Sequence, residues 1–250
     1  MRAAYLRRWL NRFRRWPLHP QWLLTTSGED EDLRAALEPL RGTVADVGCS
    51  DRRLAAMLHE DCRYVGIDYP TTAVGMYGTR PDVFSDARSL PFADGALDAI
   101  ILKDVLEHVK GPDLALREIS RALCDGGGLI LWIPFMYPIH DSPHDFQRFT
   151  EHGLAAYLGE THLQIIDIKA VLSPVETASL MMALALADAS EQMVSRRRWL
   201  IPVLPVLGLL ILITNLFGKG MAWLPSTRFM PAFYRVAARR IPRAQAGESQ

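Results

Sequence analysis

The chain has 250 residues, enough for one domain with an elaboration, and 49% of them are hydrophobic, which is ample for a packed core. A formal net charge of zero argues against a nucleic-acid partner held by bulk electrostatics. The three cysteines, Cys49, Cys62 and Cys124, lie in or beside apolar runs without metal-ligand spacing, so reduced thiols in a cytoplasmic setting are expected rather than disulfides.

Met1 to Trp16 carries six arginines among Tyr5, Leu6, Trp9, Leu10, Phe13 and Trp16. Its apolar positions recur at three and four residues, the pattern of a basic amphipathic helix. Without the uninterrupted apolar core and small-residue cleavage site of a secretory signal, it is expected to stay in the mature protein. Such a helix either lies on an anionic membrane surface or docks on the domain by its aromatic face. Pro17 ends it, and a helix from about Glu29 to Leu40 follows.

Thr43 to Asp68 (TVADVGCSDRRLAAMLHEDCRYVGID) is the stretch around which the rest is organised. Thr43 to Val47 predicts a strand, Leu54 to Leu58 has helical spacing, and Arg63 to Asp68 predicts a second strand, together one βαβ unit. Gly48 lets the backbone leave the first strand tightly, and Ser50 or Asp51 can cap the helix, whose free amides would face a ligand. Asp68 closes the second strand twenty residues after Gly48, where a carboxylate can accept hydrogen bonds from both hydroxyls of a ribose. Of the G-x-G-x-x-G needed for a pyrophosphate, only the first glycine is present, so the unit is expected to hold a nucleoside instead.

The α/β alternation continues with a short third strand, Asp82 to Ser85, and a turn through Leu90 to Gly95. Ala96 to Leu102 is a continuous apolar run of the kind covered on both faces, the fourth strand. Lys103, Asp104, Glu107 and His108 follow it at the carboxyl edge of the sheet. Pro112 to Leu123 predicts an amphipathic helix with Leu114, Leu116, Ile119, Ala122 and Leu123 as core contacts, stopped by Gly126, Gly127 and Gly128. Leu129 to Ile133 is the fifth strand. Beyond it, Pro138 to Thr150 (PIHDSPHDFQRFT) concentrates two histidines, two aspartates, an arginine and two phenylalanines, ahead of a helix from Glu151 to Leu158 and a sixth strand from Leu163 to Val171. Then come an apolar helix, Val175 to Met193, three arginines, and Trp199 to Phe217, which is 19 residues without a charge, long enough to span a bilayer but broken by Pro202 and Pro205.

From roughly His19 to Val171 the sequence resembles the class I S-adenosylmethionine-dependent methyltransferases, in particular the small bacterial type 11 group. Asp46-Val47-Gly48-Cys49-Ser50 matches the first cofactor motif, Asp68 the ribose-binding acid, Asp86-Ala87 the adenine-contacting pair, and Leu123 to Gly127 the turn before the fifth strand. Ser50 and Arg52 stand where the family's D-x-G-x-G-x-G has its second and third glycines. The resemblance implies a doubly wound, mainly parallel seven-stranded Rossmann-like sheet with helices on both faces, S-adenosyl-L-methionine as cofactor, and methyl transfer to a small-molecule or lipid-linked acceptor, a saccharide among the options. The cofactor residues it implies are Asp46, Gly48, Cys49, Ser50, Arg52, Asp68, Tyr69, Asp86, Ala87 and Lys103, with Arg52 expected either to pair with the methionine carboxylate or to point to solvent. A rival from another class is a catalytically inactive, cofactor-binding or membrane-tethered partner protein.

In this architecture the loop after the fifth strand covers the acceptor pocket, and Pro143 to Thr150 resembles a P-H-D-F-x-R-F-T segment of the group. Three readings of it stay open. His140 and His144 with Asp141 and Asp145 could hold a metal, although the fold needs none and none is assigned. Asp145 and Arg148 could pair to hold the loop. His144, or else His140, could take the acceptor's proton as the methyl moves, unless alignment alone suffices.

Ala232 to Arg239 resembles the last strand of the sheet, so both ends of the apolar insertion are anchored to one cytoplasmic sheet, and a single crossing is disfavoured. Lys219, Arg228, Arg235, Arg239, Arg240 and Arg243, all following the apolar run, agree. The two apolar segments are therefore expected to form a helical hairpin on or in the cytoplasmic leaflet, the alternative being burial against the domain or in a dimer. The expected organisation is 1–18 basic helix, 19–172 methyltransferase domain, 173–228 apolar insertion, and 229–250 last strand and polar tail.

Overall fold

A computed structural model describes residues 14–242. Most of the basic N-terminal segment, residues 1–13, lies outside them. The chain divides into two compact units, one built from residues 30–135, 139–169 and 233 onward, the other from residues up to 29, 136–138 and 170–232. The lead-in before residue 30 thus groups with the apolar insertion rather than with the sheet.

In chain order, a single helical turn α1 (Trp22–Thr25) and α2 (Glu29–Leu37) precede β1 (Gly42–Val47). A short 3-10 turn (Arg53–Met57) stands where a helix is expected, followed by β2 (Cys62–Asp68), a π-helical turn (Thr71–Tyr77), β3 (Val83–Phe84) and β4 (Leu97–Lys103). Next come a 3-10 turn (Leu106–His108), α3 (Pro112–Ala122), β5 (Leu123–Pro134), α4 (Glu151–Gly159) and β6 (Leu163–Val171). The insertion holds α5 (Pro174–Arg196), a 3-10 turn (Arg198–Val203) and α6 (Leu204–Gly220), and the described chain closes with β7 (Phe233–Arg240).

The seven strands lie in the order β3-β2-β1-β4-β5-β7-β6. β1 pairs in parallel with β2 on one side and β4 on the other, β4 pairs in parallel with β5, and β5 pairs antiparallel with β7. The strand order therefore reverses at β1, and the carboxyl ends of β1 and β4 frame the crevice where open α/β sheets bind ligands. Leu97, Ala99, Ile100, Ile101 and Leu102 of β4 are all buried, the result of helices covering both faces. On α3 the buried stripe is Ala115, Leu116, Ile119 and Ala122, one face at helical spacing. Two details differ from expectation. Leu114 falls off that stripe and is half exposed, and Leu123 turns to extended backbone and opens β5, so the three glycines lie inside the strand instead of stopping the helix.

The second unit is a pair of helices with the lead-in tied to it. Ser173 and Glu176 cap α5 reciprocally, the Ser173 hydroxyl accepting from the Glu176 amide and the Glu176 carboxylate accepting from the Ser173 amide, with Pro174 in the first turn. α6 buries Leu207, Ile211, Asn215 and Gly218 at spacings of four, four and three. Gly218 is required there, since a Cβ would sit 2.7 Å from the Ser179 Cβ. Asn215 is buried and its amide donates to the carbonyls of Pro17 (2.7 Å) and His19 (2.9 Å). His19 is lowered to about 4 by its burial and by Arg14, and stays neutral. The expected break at Pro202 and Pro205 is the step from the 3-10 turn into α6, with Pro205 near the start of that helix.

Candidate active site

The turn leaving β1 keeps a glycine-like path without the glycines. Gly48, Ser50 and Arg52 all have left-handed φ angles, +82°, +46° and +61°. At Gly48 no side chain fits, because a Cβ would lie 2.3 Å from a Val105 methyl carbon. Ser50 and Arg52 hold the same conformation against its steric cost because neighbours fix them. The Ser50 amide donates to Asp68 Oδ2 (2.9 Å), and the Arg52 guanidinium forms a fork onto Asp82, 2.8 Å to each oxygen, while stacking over Tyr64. Asp82 also accepts from the Gly66 amide, and that bond, ahead of Arg52, holds its carboxyl below the usual range.

In the described structure the Arg52 guanidinium is taken up by Asp82 and Tyr64, clasping β2 to the start of β3. The free amides expected at the turn are also taken. Gly48 and Cys49 donate to the Ile67 carbonyl, Arg52 to the Cys49 carbonyl, and Arg53 to the Asp51 carboxylate. The 3-10 turn that follows has no side-chain cap at Arg52.

Asp68 ends β2 and is 4% exposed. Its Oδ2 accepts from Ser50 and its Oδ1 from the Tyr69 amide (2.7 Å), so each oxygen keeps acceptor capacity for a further donor. Tyr69 itself is half exposed. Asp46 is buried beside the turn, where the Tyr64 hydroxyl donates to it at 2.8 Å. Burial pushes its carboxyl up to about 6, against the Tyr64 bond, and burial likewise pushes the Cys49 thiol up to about 12 and raises Tyr64. Cys49 is thus a buried, inert thiol.

Asp86 sits past β3 with Ala87 buried beside it, and Arg88 grips both of its oxygens, Nε to Oδ1 at 3.0 Å and Nη2 to Oδ2 at 2.7 Å. That fork lowers Asp86, and an adenine amine would have to share the carboxylate with it. At the end of β4, Lys103 bonds Asp104 and lies over the Trp132 ring.

The loops after β4 and β5 meet. Glu107 is fully buried, and neither of its oxygens has a hydrogen-bond partner. His108 Nε2 and His140 Nε2 each stand 3.7 Å from Glu107 Oε1, and the two rings meet edge to face at 4.8 Å. Burial, the largest cause, raises the Glu107 carboxyl. Asp145 accepts from the His140 amide and is paired with Arg148, which holds it down at about 2. The loop-holding pair is therefore present. His144, in contrast, is exposed, turns its ring to Phe146 and offers only its carbonyl to the cluster. Asp82, Tyr64 and Arg88 were the site residues that sequence reasoning missed. Their signal is weak, since each is a side chain gripping a motif residue from a neighbouring strand or turn.

This strand order, with an antiparallel β7 set between β5 and β6, a glycine turn after β1 and an acid closing β2, is that of a class I S-adenosylmethionine-dependent methyltransferase domain. Residues 45–131 match the family model described as a methyltransferase domain, and this chain holds a domain of that class. Among curated proteins it is similar to the ubiquinone/menaquinone biosynthesis C-methyltransferase UbiE of Pasteurella multocida, 30% identical over 114 residues, 46% of this chain and 42% of that one. The chain spans about half the length of the curated relatives it matches. Among solved structures it is similar in fold to the [4+2]-cyclase SpnF, with a TM-score of 0.54 at 22% identity over 85% of this chain and 80% of that one. An S-adenosylmethionine-dependent methyltransferase from Mesorhizobium loti gives 0.53 at 15% identity, covering 87% and 100%. A cyclase on the same fold is a reminder that the fold alone does not fix the reaction.

Proposed function

We propose that the chain transfers a methyl group from S-adenosylmethionine to a small-molecule or lipid-linked acceptor at the inner face of the cytoplasmic membrane. The observation that carries the cofactor part is Asp68, a nearly buried carboxylate with acceptor capacity on both oxygens beside the Gly48 turn. Those residues fit a ribose, whose two hydroxyls Asp68 would accept, with Gly48 allowing close approach of the nucleoside. When bound, the cofactor supplies a methyl group activated by its sulfonium. The chain's own part is alignment in the crevice between the carboxyl ends of β1 and β4.

A membrane location is supported by α6. Trp199–Gly220 is long and apolar enough to cross a membrane, with a mean hydropathy of 2.4. Beyond its buried stripe α6 is apolar except for Thr214 and, in its last turn, Lys219, and Val206, Leu209, Ile213, Leu216 and Phe217 are exposed. Such a face suits a lipid surface. α5 differs, carrying Asp188 and Glu191, so α6 is the arm that would dip into the leaflet.

A second reading, a cofactor-binding partner without turnover, is favoured by the exposure of His144, the residue expected as base, whose ring turns to Phe146. Calorimetry with S-adenosylmethionine, followed by transfer of a labelled methyl into a membrane extract, separates the two. The Asp68→Ala variant is expected to bind the cofactor about 30- to 150-fold more weakly, the loss of a charged acceptor worth roughly 2 to 3 kcal/mol. Unchanged affinity would remove the cofactor from this crevice.

A further inference from the structure

We infer that Glu107, His108 and His140 form a binding site for a first-row divalent cation, zinc being the natural choice. The fully buried Glu107 carboxylate has no hydrogen-bond partner on either oxygen, an arrangement that costs free energy and that a cation in front of it would relieve. Facing it are two imidazole Nε2 atoms, each 3.7 Å from the same Oε1. That separation is too long for a hydrogen bond, but it is close to the spacing of about 3.4 Å between two ligands on a tetrahedral ion with bonds of about 2.1 Å. All three donor atoms lie within 4.8 Å of one another, so ring movements of about 1 Å bring them onto one ion.

The tautomers point the same way. His108 Nδ1 lies 2.9 Å from the His144 carbonyl, which can only accept, so in the neutral ring Nδ1 donates and the lone pair sits on Nε2, facing Glu107. His140 Nδ1 lies 3.3 Å from Asp145 Oδ2, and Asp145 is anchored by Arg148 and by the His140 amide. A carboxylate or carbonyl behind each imidazole is the supporting arrangement usual around metal-ligating histidines. Two neutral imidazoles and one carboxylate suit zinc, or iron(II) and manganese(II), and they leave coordination positions open. This pairing is not the one suggested by spacing. Of the loop histidines only His140 supplies its ring, while His144 supplies its backbone.

An open position at the carboxyl edge of the sheet would take an oxygen of the acceptor; that role rests on the methyl-transfer reading, whereas the cation site does not. The test uses the full chain stripped with a chelator, then titrated with Zn²⁺ for retained metal after desalting and with Co²⁺ for visible ligand-field bands. One equivalent per chain is expected. His108→Ala and His140→Ala should each weaken retention at least a hundredfold, while His144→Ala should match the parent. Glu107→Gln, which preserves shape, serves if a histidine variant loses its far-ultraviolet spectrum or its cofactor binding. No uptake by the parent overturns the site, as does uptake that survives His140→Ala or that falls equally in His144→Ala. Calorimetry with S-adenosylmethionine on the same metal-free sample keeps the two ideas apart: cofactor binding without metal uptake sinks the cation site alone, and uptake without cofactor binding sinks the methyl-transfer reading alone.

Discussion

In β4 the side chains of Leu97, Ala99, Ile100, Ile101 and Leu102 are all buried, whereas in α6 those of Val206, Leu209, Ile213, Leu216 and Phe217 stand exposed by half or more. Both are uninterrupted apolar runs. Hydropathy reports only that such a run must leave water, and which surface receives it is decided by topology. β4 lies in the middle of a sheet whose crossover helices cover it, so the protein itself is the partner. On α6 one stripe is covered within its own unit, and each side chain on the rest would gain on the order of 1 kcal/mol by completing its burial.

Four measurements press on that contrast. The largest effect is expected from Ile100→Ala, which leaves a hole where nothing can collapse and should cost about 3 to 4 kcal/mol in urea unfolding. A loss below about 1 kcal/mol would mean that β4 is less tightly covered than described.

A charge inside the covered region comes next. Asp46 faces Tyr64, Asp68, Asp51 and Arg52, and its carboxyl rises from 3.8 to about 6 chiefly through burial. The folded state therefore keeps a proton that the unfolded chain gives up, and stability should fall by on the order of 2 to 3 kcal/mol as pH rises from about 4 to 6, then stay at the lower level. Asp46→Asn should flatten that slope. A parent curve that is already flat over this window would contradict it.

On the covered stripe of α6, Gly218→Ala forces a Cβ onto Ser179 and is expected to lose about 1 kcal/mol, overpacking outweighing the better helix propensity. Gly208→Ala on the same helix meets nothing within 4 Å and should gain up to about 1 kcal/mol. Equal shifts for the two in thermal melts would erase the distinction between stripe and bare face. The smallest change in stability, within about 0.5 kcal/mol, is expected for Ile213→Ser on that bare face. Its flotation with anionic vesicles should nonetheless drop below that of the parent, and undiminished flotation would show that α6 meets no lipid.

Much of the sheet was legible because its signals are local. The bounds of β6 agree with the apolar run Leu163 to Val171, and α4 starts where Thr150 caps it. The end of α3 was misjudged by one residue because Leu123 suits a helix and a buried strand equally. Gly48 and Asp68 could be read from spacing. The clasp of Arg52 on Asp82 could not, because it joins residues thirty apart, and a non-glycine in a left-handed conformation leaves no local mark. Likewise Glu107 and His140 come together only through the fold, whereas their closeness in sequence had suggested His140 and His144 as partners.

The tether at Asn215 has a consequence of its own. One buried amide holds the carbonyls of Pro17 and His19, so Arg14 and Arg15, exposed just before Pro17, belong to the unit that displays the bare face of α6. If that face docks on lipid, these two cations add an ionic grip to the apolar one, and a rise in salt that shrinks the screening length should weaken the attachment.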